Sequence, residues 1–171
     1  MRLKMLLAVC VLGLLVPMAR AQNGVYATYT SANMTNIGGD VPHMNGATVG
    51  FFLQDRRTRV FKGGVDFRGN FLNGNYNTSS DQGLAGLRLV VSPPHTHIAP
   101  YGEILIGVAN SQLFTNGQGE SHFMTAFVAG ADYKLARRVD WRVVDFTYAR
   151  VEASNPFNPV MVSTGLVFRF R

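Results

Sequence analysis

Glu120, Ser121 and His122 stand side by side and supply a carboxylate, a hydroxyl and an imidazole. These are the residue types of nucleophilic hydrolysis. His95 and His97, in the run Pro93-Pro94-His95-Thr96-His97, form an H-x-H pair. On a strand, two such rings point the same way and could offer nitrogens to a metal. Geometry argues against both. Adjacent residues on a strand face opposite sides, so Ser121 and His122 cannot readily share a hydrogen bond. The histidine pair has no Asp, Glu or Cys within its turn to complete a ligand set. A polar turn after a rigid Pro-Pro explains it, and no metal, cofactor or catalytic residue is expected. The remaining chemistry lies in charges that recur on one strand face: Lys62, Asp66, Arg68, Arg88, Glu103, Asp132, Lys134 and Arg169.

The elements that must position these charges show in the side-chain alternation. Period-two segments run roughly over 23–30, 45–54, 60–72, 83–92, 98–110, 121–135, 139–151 and 160–170. A period of two marks strands. In the third, Phe61, Val65, Phe67 and Phe71 share one face, and Lys62, Asp66, Arg68 and Asn70 share the other. In the last, Val160, Val162, Leu166, Phe168 and Phe170 oppose Met161, Ser163, Gly165, Val167 and Arg169. The seventh is irregular: Arg142 and Arg150 share a face with Val144, Phe146 and Tyr148, and Trp141 falls opposite. Either a bulge near Val143 shifts the register, or the two arginines sit at membrane interfaces.

Longer connections (31–44, 73–82, 111–120 and 152–159) alternate with shorter ones (55–59, 93–97 and 136–138). That order is expected of an up-and-down antiparallel barrel with long loops on one rim and tight turns on the other. Tyr76, Phe114 and Phe157 are expected to be exposed in the long loops. The basic turns Arg56-Arg57-Arg59 and Arg137-Arg138 read as solvated charges that could also meet anionic headgroups.

The N-terminus reads as an export signal. Arg2 and Lys4 precede an uncharged apolar run from Met5 to Met18, and Ala19-Arg20-Ala21 gives an A-x-A cleavage pattern. The run is about 14 residues, short of the roughly 20 that a spanning helix needs. Residues 1–21 are therefore expected to be cleaved, leaving 22–171 as one domain. Cys10, the single cysteine, lies inside this leader, so no disulfide is available to the mature chain. Three basic residues also leave with it, which reduces the formal charge from +6 to +3. That mild balance, without an aromatic-interleaved basic patch, does not point to nucleic acid.

Backbone polar groups in a bilayer find no water, so only helices and closed barrels can span it. The mature sequence has no apolar run long enough for a helix, whereas strands of about 9–11 residues suffice. One face of these strands is continuously apolar and the other is small, polar or charged. A water-soluble barrel would reverse that arrangement. The expected fold is an all-β, eight-stranded antiparallel up-and-down transmembrane β-barrel. Its narrow interior is expected to be plugged by paired charges, and replacing Arg68 or Arg88 is expected to open a leak.

The closing run Ser163-Thr164-Gly165-Leu166-Val167-Phe168-Arg169-Phe170 resembles the C-terminal assembly signal of bacterial outer-membrane barrels, with Ser163, Gly165, Phe168 and Phe170 at its marked positions. With the leader, the eight strands and the charged inner face, the chain resembles the small outer-membrane barrels typified by the OmpA transmembrane domain, OmpX and the opacity proteins. Members of those families usually end on the aromatic, whereas Arg171 follows Phe170 here. They often continue into a peptidoglycan-binding domain, which is not expected for this chain. The resemblance implies a cell outer-membrane location in a Gram-negative envelope. It also implies a monomer with outer-membrane lipid and lipopolysaccharide as surroundings, and delivery to the barrel-assembly machinery through the C-terminal strand. The expected function is structural or adhesin-like, with at most small-solute permeability. Alternatives are a lipid A-modifying enzyme in the same barrel and a soluble secreted ligand-binding barrel.

Overall fold

A computed structural model describes residues 21–35, 43–55, 60–74, 78–112, 120–153 and 156–170. The strands are β1 (Ala21–Thr35), β2 (His43–Asp55), β3 (Phe61–Gly74), β4 (Ser79–Val91), β5 (Ile98–Gln112), β6 (Glu120–Lys134), β7 (Val139–Glu152) and β8 (Asn158–Phe170). Each pairs antiparallel with its neighbours in sequence. β1 also pairs with β8, from Asn23↔Phe170 to Thr35↔Asn158, so the sheet closes on itself. Closure leaves no unpaired edge to be desolvated. The expected leader lies outside the described residues apart from Ala21, where β1 opens. Arg56, Arg57, Arg59, Tyr76, Phe114 and Arg171 lie outside them as well.

Alternation assigns each strand one outward and one inward face. Every large exposed hydrophobic side chain among the described residues, except Leu135, lies on a strand. Together they form a continuous outward band. Toward the end carrying connections 36–42, 75–78, 113–119 and 153–157, here the upper end, the outward face becomes polar. Asn33, His43, Asn45, Asn73, Asp81, Asn110, Ser121 and Glu152 are exposed there. The lower end carries connections 56–60, 92–97 and 135–138.

The strands are longer than the alternation suggested. β1, β5 and β6 have 15 residues each. The ladder continues through Asn73↔Ser79 and brings Asp81 against Asn110, so Asn73, Ser79 and Asp81 extend the strands into a segment expected to be loop. Polar residues on both faces erase the hydrophobic alternation without ending the backbone pairing. As a result 75–78 is shorter than 92–97, and length does not separate the two rims.

β7 contains the expected bulge. Its ladder with β6 pairs Asp132 with Arg142 and Ala131 with Val144, leaving Val143 as the extra residue. Trp141, Val143 and Val144 consequently all face outward (43%, 38% and 41% exposed), while Arg142 and Asp145 are buried. The second arginine follows the other reading. Arg150 stays outside at the upper rim, where it meets Glu152 at 2.6 Å.

Candidate functional site

The lower half of the lumen holds a network of ions. Arg68 on β3 contacts Glu103 on β5, Asp66 at 3.4 Å and Asp145 at 3.3 Å. Arg88 on β4 contacts Glu103 from the other side and Asp132 at 3.0 Å. Arg142 on β7 bonds Asp132 at 3.1 Å and Asp145 at 3.4 Å. Arg169 on β8 contacts Asp140 and reaches Asp132 at 3.4 Å. An isolated ion in such a place would cost several kcal/mol of lost hydration. Here each guanidinium serves at least two carboxylates, and the charges nearly cancel.

Two tyrosines complete the network. The Tyr26 hydroxyl donates to Asp66 at 2.8 Å, and the Tyr101 hydroxyl to Asp145 at 2.6 Å. Arg88 lies over the Tyr101 ring at 3.8 Å and Arg142 over the Tyr26 ring at 4.0 Å, distances suited to cation–π attraction. The rings fit because each lies across a glycine on the neighbouring strand. Tyr26 faces Gly50, Phe52 faces Gly24, and Tyr101 faces Gly130. A methyl group on Gly50 or Gly130 would stand 2.5 Å from the facing tyrosine ring.

Above the ions runs a belt of neutral hydrogen bonds from β8 round to β5. Ser163 and Thr30 meet at 2.9 Å, Thr30 and Thr48 at 2.7 Å. Thr48 donates to Asn70 and Asn70 to Gln82, both at 2.8 Å. Gln82 donates to Ser80 at 3.2 Å, and Ser80 meets Ser111 at 3.0 Å. The upper lumen is apolar. Met34, Met44, Leu72, Met124, Val151, Phe157 and Met161 are all buried in one cluster. Phe157 is therefore not an exposed loop aromatic. Its carbonyl accepts a hydrogen bond from Val151 N at 3.0 Å, and its ring is 4% exposed. The lumen is closed twice, by ions below and by hydrocarbon above.

No protein-family model and no curated protein matches the chain. Solved structures do. Neisserial surface protein A superposes with a TM-score of 0.61 at 13% identity, covering 86% of this chain and 97% of that one. Ail, the attachment invasion locus protein of Yersinia pestis, gives a TM-score of 0.56 at 13% identity, covering 88% and 99%. The chain has the fold of the small eight-stranded outer-membrane barrels.

Within this barrel the expected lumen charges separate into two groups. Asp66, Arg68, Arg88, Glu103, Asp132 and Arg169 meet one another inside. Lys62 and Lys134 instead line the lower mouth, a hollow of about 270 Å³ that also touches Arg137, Asp132, Asp140 and Arg169. Asp140, Arg142 and Asp145 are absent from the expected set because the bulge hides their common face, and Tyr26 and Tyr101 because their hydroxyls carry no charge to mark them. Of the closing-strand residues, Ser163 is buried and joins the polar belt, while Phe168 and Phe170 are exposed on the outer face. Gly165 lies against Thr28, whose Cα would be 2.5 Å from an added methyl group.

The catalytic candidates stay apart. Ser121 is exposed on the outer face, and His122 follows on the opposite face of the same strand. His95 sits in a turn at φ 69°, not on a strand, so the alternation that would align it with His97 does not apply. Among the described residues, no group of three or more His, Cys, Asp or Glu is placed to hold a metal.

Proposed function

We propose that this chain is an outer-membrane barrel with a structural or surface-interaction role, its lumen plugged and not conducting. The observation that carries this reading is the continuous outward band of large hydrophobic side chains on a closed sheet. Water-soluble monomers rarely expose contiguous apolar patches beyond a few hundred Å². Hydrocarbon is the solvent that fits such a face, and a closed barrel satisfies its own backbone there.

In this reading the leader is cleaved after Ala21 and the assembly machinery receives β8. The lower end faces the periplasm, and the upper rim faces outward among lipopolysaccharide. The adhesin-like part of the proposal draws on the two similar proteins, one named for the cell surface and the other for attachment and invasion. The pair considered for the lipid A-modifying alternative, Ser121 and His122, points to opposite faces of β6.

Single-cysteine labelling tests the location and the orientation together, because Cys10 belongs to the expected leader. On intact cells, a membrane-impermeant maleimide should label Asn73→Cys at the upper rim and reach Arg137→Cys only after lysis. The opposite order would overturn the orientation. Recovery of both variants as soluble protein would overturn the membrane reading.

A further inference from the structure

The two rims differ in charge far more than in length. The lower connections, 56–60, 92–97 and 135–138, include Arg56, Arg57, Arg59, Arg137 and Arg138, whereas the upper connections contain no lysine or arginine. Among the described residues of the upper rim, Arg150 is paired with Glu152, and Asp81 adds a further negative charge. The described outward positions beside them are amides, the Ser121 hydroxyl and the His43 imidazole.

The β6–β7 turn concentrates the asymmetry. Leu135 and Ala136 both donate to the Val139 carbonyl, at 3.1 and 2.9 Å, which holds the turn tight. Lys134, Leu135, Arg137 and Arg138 are all exposed. Among the described residues Leu135 is the one large exposed hydrophobic side chain off the strands, and the outward band continues beside it through Ile98, Tyr133 and Trp141. Cations next to an apolar anchor at the edge of a hydrocarbon-facing band suit a membrane interface, where long basic side chains extend to the headgroups.

We infer that this turn seats anionic phospholipid headgroups of the periplasm-facing leaflet. Arg137 and Arg138 supply the charge, and Leu135 and Trp141 contact the adjoining acyl chain. The inference rests on the membrane reading above. The upper connections carry no lysine or arginine for an equivalent site, and the described outward positions there present hydrogen-bonding groups instead.

The single tryptophan of the chain, Trp141, lies beside this turn and reports on it directly. The purified protein is folded into phosphatidylcholine vesicles in which about one lipid in five is brominated, as either phosphatidylglycerol or phosphatidylcholine. Brominated phosphatidylglycerol should quench Trp141 about two-fold more strongly, given the attraction of basic residues for an anionic headgroup. High salt should remove the difference by screening. The double variant Arg137→Ala, Arg138→Ala should fold and show equal quenching by both lipids. Added glycerol phosphate should leave the preference intact. Equal quenching of the unmodified protein would overturn the inference while leaving the membrane reading in place. So would loss of the preference to glycerol phosphate, which indicates a site for free phosphate. A protein that does not insert into either vesicle fails the membrane reading itself.

Discussion

The Thr164 hydroxyl donates a hydrogen bond to the main-chain carbonyl of Arg142 at 3.0 Å, directly opposite the β7 bulge. The same oxygen accepts from Trp141 Nε1 at 3.1 Å. A bulge takes one residue out of the ladder and leaves backbone groups in want of partners. On a face turned to hydrocarbon no water can replace them. Thr164 thus lets the bulge exist where it does, and the bulge is what turns Arg142 and Asp145 into the lumen.

Thr164→Val keeps the shape and removes the hydroxyl. In a bilayer it should destabilise the barrel by about 1–3 kcal/mol, the cost of leaving the Arg142 carbonyl without a partner. Urea titration in lipid vesicles measures this. Trp141→Phe, which removes only the outer donor, should cost less. A Thr164→Val barrel as stable as the parent would mean the carbonyl has another partner.

Arg88→Met takes one cation from the centre of the network. Removing one partner of a buried ion pair typically costs about 3–5 kcal/mol. Glu103 keeps Arg68, and Asp132 keeps Arg142 and Arg169, so the lower end of that range is expected. Yet the variant should not conduct. The apolar cluster around Met34, Met44, Met124, Phe157 and Met161 still closes the upper lumen. This revises the leak expected from the charges alone. Planar-bilayer recording decides it, and stable conductance in Arg88→Met would show that the ions are the only seal.

Gly130→Ala puts a methyl group 2.5 Å from the Tyr101 ring and 2.6 Å from the Val144 carbonyl. Tyr101 must then move from between Arg88 and Arg142, and overpacking of this kind costs about 1–3 kcal/mol. Gly63 on the outer face has nothing within 4 Å of an added methyl. Gly63→Ala should therefore stay within about 0.5 kcal/mol of the parent. Equal effects from the two substitutions would contradict the assigned faces.

Ser121→Ala and His122→Ala, made separately in cells producing the protein, should leave the lipid A acylation pattern as it is in the parent strain. Mass spectrometry of extracted lipid A is the check. A pattern that depends on the protein and is lost in either variant would restore the enzyme reading.

The faces were legible in the sequence wherever the alternation was unbroken. Phe61 to Asn70 reads directly as outward aromatics against luminal charges, and Val160 to Phe170 separates its two faces in the same way. Four things were not legible. Asp140, Arg142 and Asp145 lie on one face only because Val143 is extra, and the signal was the doubled Val143-Val144 between charges. The upper ends of β3 and β4 were hidden because Asn73, Ser79 and Asp81 are polar whichever way they point. The apolar seal was hidden because Met34, Met44 and Phe157 fell in segments assigned to connections. The tyrosine–glycine pairs depend on cross-strand register, which no single strand reveals.

The central claim is that the outward band meets lipid. Fractionation of cells producing the full chain tests it most directly, with migration compared before and after boiling in detergent. The account predicts that the protein lacks its leader, stays in the outer-membrane pellet through an alkaline carbonate wash, and shifts in migration on heating. A leader-cleaved, water-soluble monomer in the periplasm, with no heat-dependent shift, would contradict it.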